Sequence, residues 1–164
     1  MFNVQKIRQE PFYVIGYTSA TNTMQEMNFS ESVKGRLFEY LAKAPWVGDI
    51  GDLVEEKICC VYHGMDTEPG DRFKLTVGLP VYSPPEGIKA SLDILPVPEG
   101  EYAQIESAVG PFPEIINETW QRVSEMSPEE IGGVRKADYD IECFSRNKFE
   151  SHHCQFTLRL ALHG

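Results

Sequence analysis

An internal repeat restricts the fold of this chain more than any other feature. Tyr13 to Thr21 aligns with Tyr102 to Gly110, Phe29 to Leu37 with Phe112 to Trp120, and Lys74 to Val81 with Gln155 to Leu162, in the same order in both halves. Identity between the halves is weak, and what they share is the pattern of apolar positions. Repeats of about eighty residues are too long for a solenoid and suit a duplicated supersecondary unit whose halves must pair to bury their apolar faces. The chain of 164 residues therefore reads as one domain over 1–164, with repeat one at about 2–82, a connector at about 83–97 and repeat two at about 98–164.

Periodicity supplies the elements. Phe73, Leu75, Val77 and Leu79 alternate with polar or small residues, as do Cys154, Phe156, Leu158, Leu160 and Leu162, so both segments read as half-buried antiparallel strands. Helical spacing joins Phe29, Val33, Leu37, Tyr40, Leu41 and Ala44, with Asn28 or Ser30 as N-cap and Pro45 as the stop. A second helix carries Phe112, Ile115, Ile116, Thr119, Trp120 and Val123, with Pro113 in its first turn and Pro128 beyond its end. Gly35 inside the first helix costs about 1 kcal/mol relative to Ala and points to a close approach there. Ile58 to His63 and Tyr139 to Phe144 add a strand to each half, giving strand, helix, strand, strand twice within an α+β fold. Tyr82 to Val97, with Pro84, Pro85 and Pro96, reads as a crossover loop plus a short edge segment.

Charge and motifs exclude several functions. Fifteen Lys and Arg against twenty-five Asp and Glu give a formal charge of −10, opposite to the basic footprint of a nucleic-acid binder, and the resulting field concentrates cations. No run of apolar residues is long enough for a membrane span, and the N-terminus lacks the apolar core of a signal peptide, so the expected location is cytoplasmic, without membrane contact. Four cysteines without a C-x-x-C read as reduced, packed thiols. His152, His153 and Cys154, like Cys59 and Cys60, are chain neighbours that point to opposite faces of a strand, so no metal site is expected from them or from His63. There is no Gly-x-Ser-x-Gly, phosphate loop or dinucleotide fingerprint, and no cofactor is expected.

The residue with the most chemical content is Glu142, in a strand of mainly apolar and aromatic residues. A buried, unpartnered carboxylate costs several kcal/mol, which a ligand cation would offset. The alternative is an edge strand in which Glu142 is wetted or pairs with Arg159 or Arg146. Aromatic faces supply the rest of a cation site. Trp120, Trp46, Tyr17, Tyr62, Phe144 and Tyr82 are the candidates, three of the six being expected in a pocket, although Trp120 also has core spacing. The repeat makes Tyr62 the mate of Phe144 and Cys60 the mate of Glu142, so the site is asymmetric and suits a monocation unless Asp138, Asp140 or Glu106 also points inward.

Leu79-Pro80-Val81, Pro98-Glu99-Gly100-Glu101-Tyr102-Ala103, and Gly110-Pro111-Phe112-Pro113-Glu114-Ile115 followed by Trp120 together resemble the effector-binding domain of GyrI-like proteins and of AraC-type and MerR-type bacterial regulators. The resemblance implies two repeats about a pseudo-twofold axis, two long helices on one side of antiparallel sheet, and a small-molecule pocket at the axis. It also implies lipophilic, cationic, drug-like ligands held by a glutamate in the penultimate strand, which Glu142-Cys143-Phe144 matches. A register shifted by two residues would make Asp140 the pocket acid and Glu142 a surface residue. With no helix-turn-helix segment in view, the expected role is a non-catalytic, stand-alone sensor or scavenger that binds through Glu142, Phe144, Trp120, Tyr62, Tyr17, Trp46 and Tyr82. Two alternatives follow from the resemblance. One is a hydrolase of electrophilic small molecules, in which Glu142 activates water and Tyr62, Tyr17 or Tyr102 donates to the leaving group. The other is a protein-interaction module whose partner is gyrase or a separate regulator.

Overall fold

The computed structural model describes residues 3–65, 72–87, 91–145 and 152–164. Arg146, considered above as a partner of Glu142, lies outside the described residues, as does the part of the connector at 88–90. The elements run β1 (Val4–Gln9), β2 (Phe12–Asn22), α1 (Thr23–Glu26), α2 (Val33–Ala42), β3 (Lys57–His63), β4 (Arg72–Val81), β5 (Asp93–Val97), β6 (Gly100–Glu106), α3 (Glu114–Ser124), α4 (Pro128–Ile131), β7 (Asp140–Ser145) and β8 (Thr157–Ala161). All eight strands join one sheet in the order β1-β6-β8-β7-β3-β4-β2-β5, and every pairing is antiparallel.

That order is symmetric about the β7–β3 seam, and the register shows where the axis passes. Cys59 pairs with Cys143, Cys60 with Glu142 and Val61 with Ile141, so the two mates Cys60 and Glu142 face each other directly across the pseudo-twofold axis. The outermost strands are exchanged between halves. β1, at the start of repeat one, pairs with β6 of repeat two, and β5, at the end of the connector before repeat two, pairs with β2 of repeat one. Counting strands and the long helix, each half thus has five elements rather than four, led by an edge strand that it donates to the other half. β5 matches the expected edge segment of the connector. β1 gives no strong apolar signal because its sequence, VQKIRQ, is mostly polar and none of it is fully buried, as suits a sheet edge.

The two long helices pack on one face, where Val33, Leu37, Phe38 and Leu41 of α2 and Ile115, Ile116 and Val123 of α3 meet Leu75, Val77, Ile105, Phe144, Leu158 and Leu160 of the sheet. Tyr40, assigned above to the apolar stripe, is 49% exposed, and Phe38 takes its place in the core. α2 begins later than the spacing suggests: Phe29–Glu31 forms a separate 3-10 turn, and Ser32, rather than Asn28 or Ser30, caps the helix by accepting from the Gly35 N–H at 2.9 Å. A Cβ at Gly35 would lie 2.3 Å from the Phe29 carbonyl oxygen, which accounts for the glycine.

The strands expected to be half-buried are buried on both faces. Opposite the helices, Phe12, Val14, Cys59, Val61, Val97, Tyr102, Ile141 and Cys143 form a second cluster, with Ile7, Val54, Leu95 and Tyr139 packed against it. The segment before β3 contributes to this cover: Leu53 bridges to Val81, and the Val54 N–H donates to the Pro80 carbonyl. Continuous burial along β4 and β7 follows from having apolar cover on both sides.

Gly16 and Gly78 face each other in the β2–β4 ladder, and a Cβ on either would come within 2.0 Å of a backbone oxygen of the opposite strand. Neither backbone can move away without opening the ladder. Gly16→Ala should therefore lower the unfolding free energy by about 1–3 kcal/mol in urea titrations, whereas Gly48→Ala, where a Cβ meets nothing within 4 Å, should leave it nearly unchanged.

Candidate functional site

The site begins at the N-terminus of α2. Glu26, at the end of α1, accepts from the backbone N–H groups of Val33 at 3.0 Å and Lys34 at 2.9 Å, and from the Thr21 hydroxyl at 2.6 Å. A carboxylate against exposed helix N–H groups is favourable in both hydrogen bonding and charge, and here it fixes the first turn of α2. Lys34 in that turn is thereby aimed at the sheet, with a side chain only 6% exposed.

Its target is Glu142, whose side chain is fully buried. The Lys34 Nζ lies 2.9 Å from Oε1 and 3.1 Å from Oε2. Oε2 also accepts from the Tyr62 hydroxyl at 2.7 Å and from the Trp120 indole N–H at 2.6 Å, and Lys34 donates in turn to the Tyr62 oxygen. Oε1 faces the ammonium without a directed hydrogen bond. Taking both ions from water costs several kcal/mol each, and the short contacts and the two neutral donors offset that cost. Repeat one thus supplies the cation Lys34 and the donor Tyr62, and repeat two supplies the anion Glu142 and the donor Trp120.

Lys34, Tyr62 and Trp120 of this cluster border a cavity of about 260 Å³, with Glu142 buried behind them, and the other walls include Met27, Phe73, Ile116, Asn117 and Met65. Glu26 and Lys34 line one side, Arg135 and Asp140 the other. Arg135 pairs with Asp140 at 2.7 Å and lies over the Trp120 ring, its Cζ 5.6 Å from the ring centroid. The charged lining residues balance, Glu26 and Asp140 against Lys34 and Arg135, and the excess negative charge is that of Glu142 buried behind them.

The titration of these groups follows from their surroundings. Burial alone would lower the Lys34 pKa, but Glu142, helped by Glu26, more than reverses this and holds it above the ordinary lysine value. Burial and the nearby Glu142 carboxylate push the Tyr62 hydroxyl and the Cys60 thiol well up, so both remain protonated. Burial raises Asp140, against the opposing pull of Arg135 and the Ala161 N–H.

The aromatic candidates divide. Tyr62 and Trp120 meet at the cavity and at Glu142, with ring centroids 5.3 Å apart. Phe144, on the same face, is sealed in the core against Phe156 and Phe38 at 5.1 and 5.4 Å. Tyr17 and Trp46 pair with each other, the indole N–H donating to the tyrosine oxygen at 3.1 Å, and neither borders the cavity. Tyr82 is 56% exposed and also stands apart from it. Tyr102 lies on the opposite face of the sheet. Among the acids, Asp140 lines the cavity, Asp138 accepts from the Gly64 N–H, and Glu106 accepts from Thr157. Glu142 is not a surface residue, and Arg159 is not its partner: Arg159 binds Glu55 at 2.8 Å.

Lys34 escaped the sequence reading although a signal was present. It precedes Leu37 and Phe38 by three and four residues and so shares the buried stripe of α2, where a charge requires a partner. Aligning Phe29 with Phe112 also sets Lys34 against Asn117, another cavity residue. Glu26 and Arg135 lie on a short helix and a loop, which carry no periodic signal.

Glu142→Gln should destabilise the protein by about 3–5 kcal/mol, because Lys34 is left buried without its counter-charge, and Lys34→Met added to it should recover most of the loss. Urea unfolding of the two single variants and the double variant measures this, and simple additivity would show that the two groups do not interact. Because the folded pKa of Lys34 is raised, its contribution is complete below the ordinary value of 10.5 and is lost as pH rises through the raised value. The unfolding temperature of the wild type should fall over that alkaline range more than that of the double variant.

The chain matches the family model of the integron-associated effector binding protein Cass2 over residues 7–162. No curated protein matches it. An integron cassette protein, Cass2, from the mobile metagenome of Vibrio cholerae shares the fold with a TM-score of 0.72 at 17% identity, over 99% of this chain and 97% of that one. SAV2435, solved bound to tetraphenylphosphonium, has a TM-score of 0.76 at 12% identity, over 99% of this chain and 94% of that one. A putative bacterial transcription regulation protein from Staphylococcus aureus MU50 has a TM-score of 0.70 at 11% identity, over 100% of this chain and 99% of that one. Among the described residues no helix is long and apolar enough to cross a membrane. With a family match spanning nearly its whole length and the same fold in these neighbours, this chain belongs to the integron-associated effector binding protein family.

Proposed function

We propose that the protein binds a lipophilic organic cation in the cavity between α3, the α1–α2 corner and the central strands, as a binding module rather than an enzyme. The observation that carries this reading is the cavity itself: walls of aromatic, aliphatic and thioether groups, with the excess negative charge of a carboxylate buried behind them. Apolar walls give broad contact area with little shape restriction, and the thioethers of Met27 and Met65 adapt to ligands of different outline. The faces of Tyr62 and Trp120 and the excess carboxylate favour positive charge. The tetraphenylphosphonium held by SAV2435 is a ligand of this chemical class.

Hydrolysis is less well supported. A glutamate that activates water needs a lone pair open to the cavity, and Oε2 already receives three donors while Oε1 faces Lys34. The binding reading is tested by titrating an aromatic cationic dye and its neutral analogue while following Trp120 fluorescence and unfolding temperature. The cation should quench the indole and raise the unfolding temperature as its concentration passes the dissociation constant, and Trp120→Ala should weaken its binding by about tenfold. Equal affinity for the neutral analogue would remove the cation from the proposal, and chemical conversion of the dye would replace binding by catalysis.

A further inference from the structure

The carboxylate expected to await a ligand cation already holds one that belongs to the chain. The Lys34 ammonium sits where the charged head of a ligand would sit, and it does so incompletely. It directs hydrogen bonds to Glu142 Oε2 and to the Tyr62 oxygen, whereas Oε1, 2.9 Å away, has no directed hydrogen bond from any described residue. A fully buried carboxylate oxygen lacking an aligned donor is an unsatisfied acceptor, and this one lies behind the cavity wall that Lys34, Tyr62 and Trp120 form. We propose that Lys34 is a tethered stand-in for the ligand's cationic group, and that the preferred ligand is a lipophilic amine whose N–H groups take over its place at Glu142. The inference rests on the binding function proposed above and narrows its ligand class.

Three features make the exchange feasible. Lys34 has a flexible four-carbon stem and borders the same cavity, so a change of its rotamers alone would carry the ammonium away from Glu142. Glu26 borders that cavity too and already acts electrostatically on Lys34, and its Oε1 accepts only the Lys34 backbone N–H among the described residues, which leaves a lone pair for the displaced ammonium. An alkylammonium also carries three N–H donors, enough to replace the bonds to Oε2 and Tyr62 and to supply the missing one to Oε1. A quaternary ammonium has no donor. It can rest on the aromatic faces but cannot satisfy the oxygens that Lys34 would leave, so the site discriminates between two cations of equal charge.

Competition from a tethered cation lowers the apparent affinity by the fraction of molecules in which Glu142 is free, so removing the competitor should raise it. The test is calorimetric titration of naphthylmethylamine, its N,N,N-trimethyl derivative and neutral naphthylmethanol into the wild type and Lys34→Met. The amine should bind the wild type about tenfold more tightly than the trimethyl compound, and both cations should gain about tenfold or more in Lys34→Met while the alcohol does not. Equal binding of the two cations to the wild type, or no gain for either in the variant, overturns the role of Lys34. If Lys34→Met does not fold, the wild-type preference for the amine decides alone. Binding of the alcohol as tightly as the amine overturns the inference but keeps a small-molecule cavity, and failure of all three compounds to bind overturns the binding function with it.

Discussion

A charged glutamate at the centre of a sheet buried on both faces is the constraint around which the rest of this protein is arranged. Glu142 is fully buried and lies on the pseudo-twofold axis. An isolated charge there would neutralise or unfold the protein. Its partners come from three elements: Lys34 from α2, Tyr62 from β3 and Trp120 from α3. The capping of α2 by Glu26 belongs to the same arrangement, because it sets the turn from which Lys34 reaches the sheet. Both long helices are thus tied to the seam by a polar contact as well as by the apolar core, and the cavity is lined by residues of both and of the α1–α2 corner.

Duplication provides the scaffold, and its departures from symmetry provide the chemistry. The paired positions across the axis, Cys60 with Glu142, Tyr62 with Phe144 and Lys34 with Asn117, share backbone placement and differ in function. A second carboxylate in place of Cys60 would put like charges in register across the seam. A thiol held protonated by burial and by its neighbour's charge avoids that repulsion and fills the space. The exchange of β1 and β5 between halves means that neither repeat closes its own sheet edge, so the halves are bound by strand pairing far from the axis as well as at it.

The repeat, the α+β class, both long helices and the central strands were legible because each carries an apolar period that burial enforces. The edge strand β1 was not, since an exposed edge selects for charge rather than alternation. For the site, Glu142 stands out as a charge in an apolar strand, and Tyr62 and Trp120 link it by hydrogen bonds to the cavity they line. Tyr17, Trp46 and Tyr82 are candidates by residue type, and Phe144 also by its place in the Glu142-Cys143-Phe144 pattern, but neither signal says whether an aromatic ring faces a cavity, a neighbour or solvent. Lys34 was passed over because lysine reads as surface by default, although its place on the apolar stripe of α2 marked it. The partner of a buried charge can lie more than one hundred residues away, as it does here, and only the fold brings the two together.

The state of the Lys34 ammonium tests this account most directly. Nitrogen-detected NMR of lysine side chains in the ligand-free protein reports whether that group is buried, charged and paired. The account predicts one slowly exchanging ammonium signal, absent in Lys34→Met, close in space to the rings of Tyr62 and Trp120 and titrating above the ordinary lysine value. A Lys34 signal that exchanges freely with water and titrates at or below that value would contradict it.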